Sequence, residues 1–198
     1  MDANGVVLKS PFRMATVDDV EAVLPLATET VPGFVEHLWS RLAEKDESPQ
    51  DFGRRAQTAF IQAGNTIVAD ISRTVAAMLI CHPMADEPNP HVSGMDEVLL
   101  PLMALFQRAA GSWYVHGIAT APEFHGQGLR SRLMSIFEDL GRAVGKSSIS
   151  LLVIDQNTSA IAFYEKRGYS ATGSEPVIRK GWKTQAKNWI LMEKTLVA

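Results

Sequence analysis

A glycine-bearing turn carries the spacing that best fits chemistry in this chain. Gly126 and Gly128 lie between a β-type run over residues 113–120 and a helical pattern that begins at Leu129. The start of a helix leaves backbone N–H groups without partners and exposes the positive end of the helix dipole. Such a turn favours an anion, most often a phosphate group. Two glycines before a helix are a weak signal by themselves, because many folds that bind nothing contain them.

His116 is the second residue whose type and position suggest chemistry. It follows Tyr114 by two residues, so the two side chains share one face of the predicted strand. An imidazole titrates near neutral pH and can take a proton from a substrate, directly or through a water. A lone histidine in a strand is more commonly a structural residue, so the position leaves both roles open.

Composition excludes several classes of function. A net charge of -3 and a pI of about 5.9 give no electrostatic reason to expect nucleic acid as a partner. The single cysteine, Cys81, fits a reducing compartment, and we find neither a secretory signal nor an apolar run long enough for a bilayer. We therefore expect a cytoplasmic protein without a membrane partner. His37, His82 and His91 lie far apart in sequence without acidic or cysteine residues at ligand spacing, so we expect no metal site.

The elements that must position these residues follow from hydrophobic periodicity. Strands are predicted near residues 6–13, 65–70, 74–82, 113–120, 148–154, 169–173 and 188–196. Helices are predicted near residues 16–32, 34–44, 49–62, 95–110, 129–144 and 157–168. This order predicts an α/β (α+β) fold, with a mixed, mostly antiparallel central sheet and helices on both faces, in one domain over residues 1–198.

Three segments in order match the pattern of a known family. Tyr114–Glu123 is similar to a strand and the turn after it. His125-Gly-Gln-Gly-Leu-Arg130 is similar to the pyrophosphate loop Gln/Arg-x-x-Gly-x-Gly/Ala, and Asn157–Tyr169 to the segment Asn-x-x-Ala-x-x-x-Tyr-x-x-x-Gly-Phe/Tyr. A weaker match, Phe12–Asp19, fits an opening strand and helix. In these residues the chain resembles the GNAT superfamily of acetyl-CoA-dependent N-acetyltransferases.

The resemblance implies a cofactor and a set of site residues. It implies transfer of an acetyl group from acetyl-CoA to a primary amine by direct attack, with Tyr164 as the general acid for the leaving thiolate. His116 is our candidate for the base, since Leu152 occupies the position where some members of the family carry a glutamate. The implied cofactor contacts are Ile118, Ala119, Thr120, His125, Gly126, Gln127, Gly128, Leu129, Arg130, Ser131, Asn157 and Tyr164.

Two residues depart from the family pattern. His125 stands where the family has Gln or Arg, and Arg130 stands where it has a small residue. Because backbone amides bind the phosphates and both glycines are kept, we expect the loop to retain its function.

The stretches outside the matched core are the candidates for the acceptor side. Residues 32–62 and 83–111 are predicted insertions that, with the basic loop Arg179–Lys187, wall the acceptor cleft. The expected acceptor is a small-molecule or peptide amine, and a homodimer is compatible with the sequence. The expected apolar walls are Trp39, Phe52 and Phe106.

Two other functions compete with the enzyme. An acyl-CoA-binding regulatory module without turnover is favoured by Arg130, Leu152 and the uncertain base. A nucleotide-binding fold of another type is disfavoured, because the loop lacks the Lys-Ser/Thr of a P-loop and the third glycine of a dinucleotide fingerprint.

Overall fold

Strands and helices alternate along the chain much as the periodicity predicts. The computed structural model describes residues 2–3, 5–87 and 94–196. Its strands are β1 (Asp2–Ala3), β2 (Val6–Val7), β3 (Phe12–Met14), β4 (Thr66–Ile71), β5 (Thr74–Pro83), β6 (Trp113–Thr120), β7 (Ser148–Ile154), β8 (Ser170–Pro176) and β9 (Asn188–Thr195). Its α-helices are α1 (Val20–Glu29), α2 (Phe34–Leu42), α3 (Pro49–Gln62), α4 (Leu100–Arg108), α5 (Leu129–Ala143) and α6 (Thr158–Glu165).

The longer strands form a seven-stranded sheet in the order β3-β4-β5-β6-β7-β9-β8. The pairs β3/β4, β4/β5, β7/β9 and β8/β9 are antiparallel. This confirms the predicted mixed, mostly antiparallel sheet. The chain divides into two compact units: a first unit of Met1–His82 with Val115–Gly145, and a second unit of Pro83–Tyr114 with Lys146–Ala198. The single domain with insertions stays a prediction.

The core of the first unit explains why α1, α2 and α3 form. One face of each helix contributes apolar residues to a cluster with strand residues, including Val23, Trp39, Ile61, Val68 and Met78. Successive strand residues alternate between faces, and the neighbours Ile67 and Leu79 are buried as fully as Val68 and Met78. Both faces of β4 and β5 are therefore covered.

Cys81 belongs to this buried part of β5. It is 3% exposed, and burial raises the pKa of its thiol to about 12. A thiol in this state is a small apolar side chain rather than a nucleophile, as its apolar sequence neighbours predict.

Gly53 in the interior of α3 makes room for a tryptophan. A Cβ on Gly53 would lie 2.5 Å from Cζ3 of Trp39, and Trp39 is itself 6% exposed. We expect Gly53→Ala to lower the free energy of unfolding by about 1 kcal/mol, because overpacking costs about 1–3 kcal/mol and exceeds the helix propensity gained. Urea unfolding measures this.

Ala59→Gly on the exposed side of α3 calibrates the propensity difference alone. If Gly53→Ala instead stabilises the chain by the amount that Ala59→Gly costs, the packing of Trp39 on Gly53 does not matter.

In the second unit, a hydrogen-bonded turn fixes the start of α6. The Asp155 carboxylate accepts hydrogen bonds from the amides of Lys187 and Asn188 at 3.0 and 2.9 Å. It thereby joins the residues before α6 to the start of β9. These bonds hold the pKa of Asp155 below its usual value, against the desolvation that would raise it. The ionised form of Asp155 therefore stabilises this turn.

Some predicted elements differ in length from the structure. The predicted first strand near residues 6–13 is two short strands, β2 and β3, with Pro11 between them. The predicted helix near 95–110 is α4 preceded by a 3-10 turn over Glu97–Leu99, with Pro101 in its first turn, where proline is tolerated. The strand predicted at 169–173 extends to Pro176 as β8.

Candidate active site

The glycine loop leads from β6 to α5 in the first unit. Gly126 and Gly128 have φ of 77° and 74°, in the left-handed region that suits glycine. Both are exposed, and a Cβ on either would meet no atom within 4 Å. Leu129 follows at 3% exposure, so the side chain anchors the helix start while the loop faces open space.

The first turn of α5 offers backbone donors. No side chain caps it, and the amide of Arg132 donates to the carbonyl of Gly128 at 3.1 Å. The amides of Leu129 and Ser131 come before this bond and have no acceptor within the helix. Uncapped amides, the helix dipole and two glycines that keep side chains away fit a pyrophosphate group.

His125 ties this loop to the strand before it. Its Nε2 lies 2.9 Å from the carbonyl oxygen of Thr120. Since a carbonyl only accepts, Nε2 carries the hydrogen and the imidazole donates. The histidine that departs from the family pattern therefore has a local role, because it braces the loop against the last residue of β6.

The other predicted cofactor residues of β6 differ in burial. Ala119 is 7% exposed and belongs to the core cluster, whereas Ile118 and Thr120 are half-buried. A Cβ on Gly117 would lie 3.0 Å from Cγ2 of Thr30, just after α1. The glycine thus permits a close approach between the strand and the end of α1. Gln127, Arg130 and Ser131 lie in the loop and the first turn of α5.

His116 lies in an aromatic group that sequence reasoning did not find. Its ring is 4.4 Å from the ring of Phe60 and 5.8 Å from that of His82, between centroids. Burial, and next the proximity of His82, lower the pKa of His116 to about 4. The residue also has an exposed surface. The His116 ring is therefore crowded by protein atoms on one side and reached by water on the other.

The sequence could have indicated His82 only through strand pairing. His82 and His116 are far apart in the chain and meet because β5 and β6 are neighbours in the sheet. Both lie in correctly predicted strands, so the missing information was the strand order.

Asn157 and Tyr164 belong to α6 in the second unit. The side chain of Asn157 accepts a hydrogen bond from the amide of Ala160 at 3.1 Å and so caps the helix, as predicted. Tyr164 is 5% exposed, and its ring is 5.7 Å from that of Tyr169. Both residues are therefore positioned by α6, Asn157 at its N-terminus and Tyr164 two turns later.

Tyr114 adds a second phenol beside Tyr164. Burial, and to a lesser degree the neighbouring Tyr164, raise the pKa of Tyr114 well above its usual value. Tyr114 is therefore a neutral phenol over the whole physiological range. Its ring also makes an edge contact with Phe106 of α4, at 5.3 Å between centroids.

The predicted acceptor-side residues are distributed over both units. Trp39 is buried and Phe52 half-buried in the first unit. In the second unit, the basic loop is partly engaged, since Arg179 donates to the carbonyl of Ala186 at 3.3 Å and Lys180 forms an ion pair with Glu97 at 2.9 Å. Their role in the acceptor cleft stays a prediction.

The metal prediction concerns three histidines, of which His91 lies outside the described residues. In the described ranges, no group of three or more potential ligand side chains could hold a metal ion. The helices of these same ranges are all too short or too polar to cross a membrane.

Comparison with known proteins decides the family. A model of the acetyltransferase (GNAT) family matches residues 32–169, more than half of the chain. The chain belongs to the GNAT acetyltransferase family. The resemblance seen in the sequence is thereby confirmed.

A curated relative of this GNAT chain is the catalytic subunit NAA20 of the N-terminal acetyltransferase B complex of Arabidopsis thaliana. The two are 32% identical over 89 residues, which cover 43% of this chain and 48% of the relative. The chain thus matches about half the length of that relative.

Solved structures of other proteins show the same fold. Ard1 from Thermoplasma volcanium aligns with a TM-score of 0.62 and 17% identity, covering 94% of this chain and 97% of that one. Drosophila melanogaster polyamine N-acetyltransferase gives 0.70 and 13%, covering 93% and 99%. YncA from Salmonella typhimurium, solved with its cofactor acetyl-CoA, gives 0.60 and 15%, covering 94% of each chain.

Proposed function

We propose that this protein is an acetyl-CoA-dependent N-acetyltransferase that acetylates a primary amine by direct attack. The observation that carries the proposal is the uncapped start of α5 behind Gly126 and Gly128 in a chain of the GNAT family. The regulatory alternative gains no support, since the curated relative NAA20 is named as the catalytic subunit of an acetyltransferase complex.

In this proposal the chain holds the cofactor through backbone groups and one amide side chain. The amides of residues 129–131 bind the pyrophosphate, and the backbone of Ile118, Ala119 and Thr120 pairs with the pantetheine. The oxygen of Asn157 serves the helix cap, so its N–H groups are the donors that remain for the pantetheine.

Acetyl-CoA, when bound, supplies an acetyl thioester as the acyl donor. A backbone N–H of the 118–120 segment stabilises the negative charge that develops on the carbonyl oxygen during attack. After the amine nitrogen has bonded to the carbonyl carbon, Tyr164 would donate its phenolic proton to the leaving sulfur as the carbon–sulfur bond breaks. His116 accepts the proton that the nitrogen loses.

The low basicity of His116 restricts the acceptor. With a pKa of about 4, the imidazole is neutral at pH 7 but cannot deprotonate a free alkyl ammonium, whose pKa is about 10.4. It can take the proton once the nitrogen has bonded to the carbonyl carbon and become more acidic. The amine must therefore arrive neutral.

Peptide α-amines meet this condition best. At pH 7, roughly one α-amino group in ten is neutral, against roughly one alkyl amine in 2,500. We therefore propose the α-amine of a peptide as the preferred acceptor. The cited relative NAA20 is named as an N-terminal acetyltransferase subunit, which supports this choice.

Paired peptides test the function and the acceptor together. One peptide has a free N-terminus and dimethylated lysines, and the other has a blocked N-terminus and free lysines. With acetyl-CoA, mass spectrometry should show acetylation of the first peptide at pH 7 and much less of the second. Equal acetylation of both would contradict the α-amine preference. Failure to acetylate these peptides and a small amine such as agmatine would contradict the enzyme.

The pH dependence of kcat/KM should follow the acceptor rather than an ordinary histidine. Since the lowered pKa leaves His116 neutral above about pH 4, protonation of this residue should not limit the rate between pH 5 and 7. For a peptide α-amine the rate should rise with pH around a midpoint of about 8. A fall in kcat/KM with a midpoint near pH 6.5 that is absent from His116→Gln would contradict the lowered pKa of His116.

We also propose a cytoplasmic location, because a single buried thiol suits a reducing compartment. The homodimer, and the absence of nucleic-acid and membrane partners, stay predictions.

A further inference from the structure

A second cavity lies among the helices of the first unit. Helices α1, α2 and α3 enclose an open cleft of about 600 Å³, a volume typical of small-molecule sites. The contribution of α1 is Glu21, Leu24 and Pro25, which recur at spacings of three and four and so form one helix face. Val20 and Val23 on the other face belong to the core cluster with strand residues. The cleft therefore lies on a different face of α1 from Val20 and Val23.

One part of the wall of this helix cleft is apolar, and its tryptophan is held in place. Leu24 and Pro25 come from α1, and Trp39 comes from α2. Trp39 cannot move toward α3 because it already fills the space beside Gly53. The walls suit an alkyl or aryl body.

The charges of the helix cleft favour a cation. Arg54, the one cation among the described residues that line it, is satisfied by Glu21 at 2.6 Å and by Asp51 at 2.9 Å. Glu36 supplies a second lining carboxylate. Pro25 has no amide hydrogen, so the backbone carbonyl of Glu21 lacks its usual helical partner. Among these charged and backbone groups, hydrogen-bond acceptors therefore outnumber hydrogen-bond donors.

The helix cleft has no lining residue in common with those assigned to the cofactor and to proton transfer. Its lining residues on α3 lie at the N-terminal end, from Ser48 to Arg54. Phe60, which contacts His116, lies in the last turns of α3. Arg54 and Phe60 are about 9 Å apart along the helix axis, at 1.5 Å per residue. The lining residues of α3 therefore end before the part of the helix that contacts His116.

We propose that the helix cleft binds an organic cation, a primary ammonium or guanidinium group on an apolar body. The body packs against Leu24, Pro25 and Trp39, and the cation contacts the Glu36 carboxylate and the Glu21 carbonyl. The proposal does not rest on the function proposed above.

Calorimetry with three isosteric probes tests the proposal on the full chain without acetyl-CoA. The probes are 2-phenylethylamine, 2-phenylethanol and 3-phenylpropanoate. The amine should bind at least about tenfold more tightly than the alcohol or the carboxylate, and added salt should weaken its binding. Equal binding of the amine and the alcohol, or no binding of the amine at millimolar concentration, would overturn the proposal.

Two glutamate variants place the ligand. Glu36→Gln should weaken amine binding about fivefold to tenfold and leave the affinity for the alcohol unchanged. Glu29→Gln removes the same charge from an exposed position of α1 outside the helix cleft and should change neither. Equal losses in both variants would show a nonspecific charge effect and overturn the site. Glu36→Gln should also leave the affinity for acetyl-CoA unchanged, and a weakened affinity would overturn the separation of the helix cleft from the cofactor site.

Discussion

Tyr164→Phe should lower kcat by about 10²–10⁴, the usual contribution of general acid–base catalysis. The hydroxyl is the only group removed, and the ring keeps its contacts with Phe163 and Tyr169. Because the proton is needed by the departing sulfur and not by the bound cofactor, acetyl-CoA affinity should change little. Steady-state kinetics with the peptide acceptor and calorimetry with acetyl-CoA measure the two quantities.

Tyr169→Phe is the matched control for this variant. Tyr169 is 3% exposed and packs against Tyr164, so its substitution removes a buried phenolic oxygen from the same cluster. We expect kcat to stay within about threefold of the original protein, since no proton transfer is assigned to Tyr169. If both variants lose activity equally, the cluster matters for packing and Tyr164 is not the acid.

Gly128→Val should weaken acetyl-CoA binding by at least about tenfold. The new side chain would occupy the open space in front of the amides of residues 129–131, and the φ of 74° would be strained for a branched residue. Both effects act on the proposed pyrophosphate site. Calorimetry with acetyl-CoA, and with CoA alone, gives the affinity.

Gly145→Val separates backbone strain at a positive φ from obstruction of the space in front of the loop amides. Gly145 lies just after the other end of α5, has a φ of 72°, and likewise has nothing within 4 Å of a Cβ. Its substitution should cost comparable stability by urea unfolding and leave acetyl-CoA affinity unchanged. Loss of affinity in both variants would show that helix strain, not the loop, controls binding.

Local patterns in the sequence predicted the parts of the site that depend on neighbouring residues. The positive φ of Gly128, the start of α5 at Leu129 and the cap at Asn157 each follow from short-range rules about glycine, helix periodicity and side-chain capping. The antiparallel pairing of β4 and β5 was predictable for the same reason, because a short turn connects them.

The remaining features depend on residues brought together from distant parts of the chain. His82 reaches His116 only because β5 and β6 are neighbours in the sheet, and no local pattern gives strand order. The nesting of Trp39 on Gly53 depends on how α2 crosses α3. The low pKa of His116 results from crowding by such distant residues, so sequence alone predicted an ordinary imidazole.

The burial of Cys81 has a practical consequence for measuring turnover. Acetyl transfer releases free CoA, whose thiol reacts readily with a colorimetric disulfide reagent at pH 8, since an ordinary thiol has a pKa of about 8.5. Cys81 is the one cysteine of the chain, is 3% exposed and has a pKa of about 12. The folded protein should therefore add almost no colour of its own. Colour that develops without an acceptor and in proportion to protein would instead report unfolded molecules.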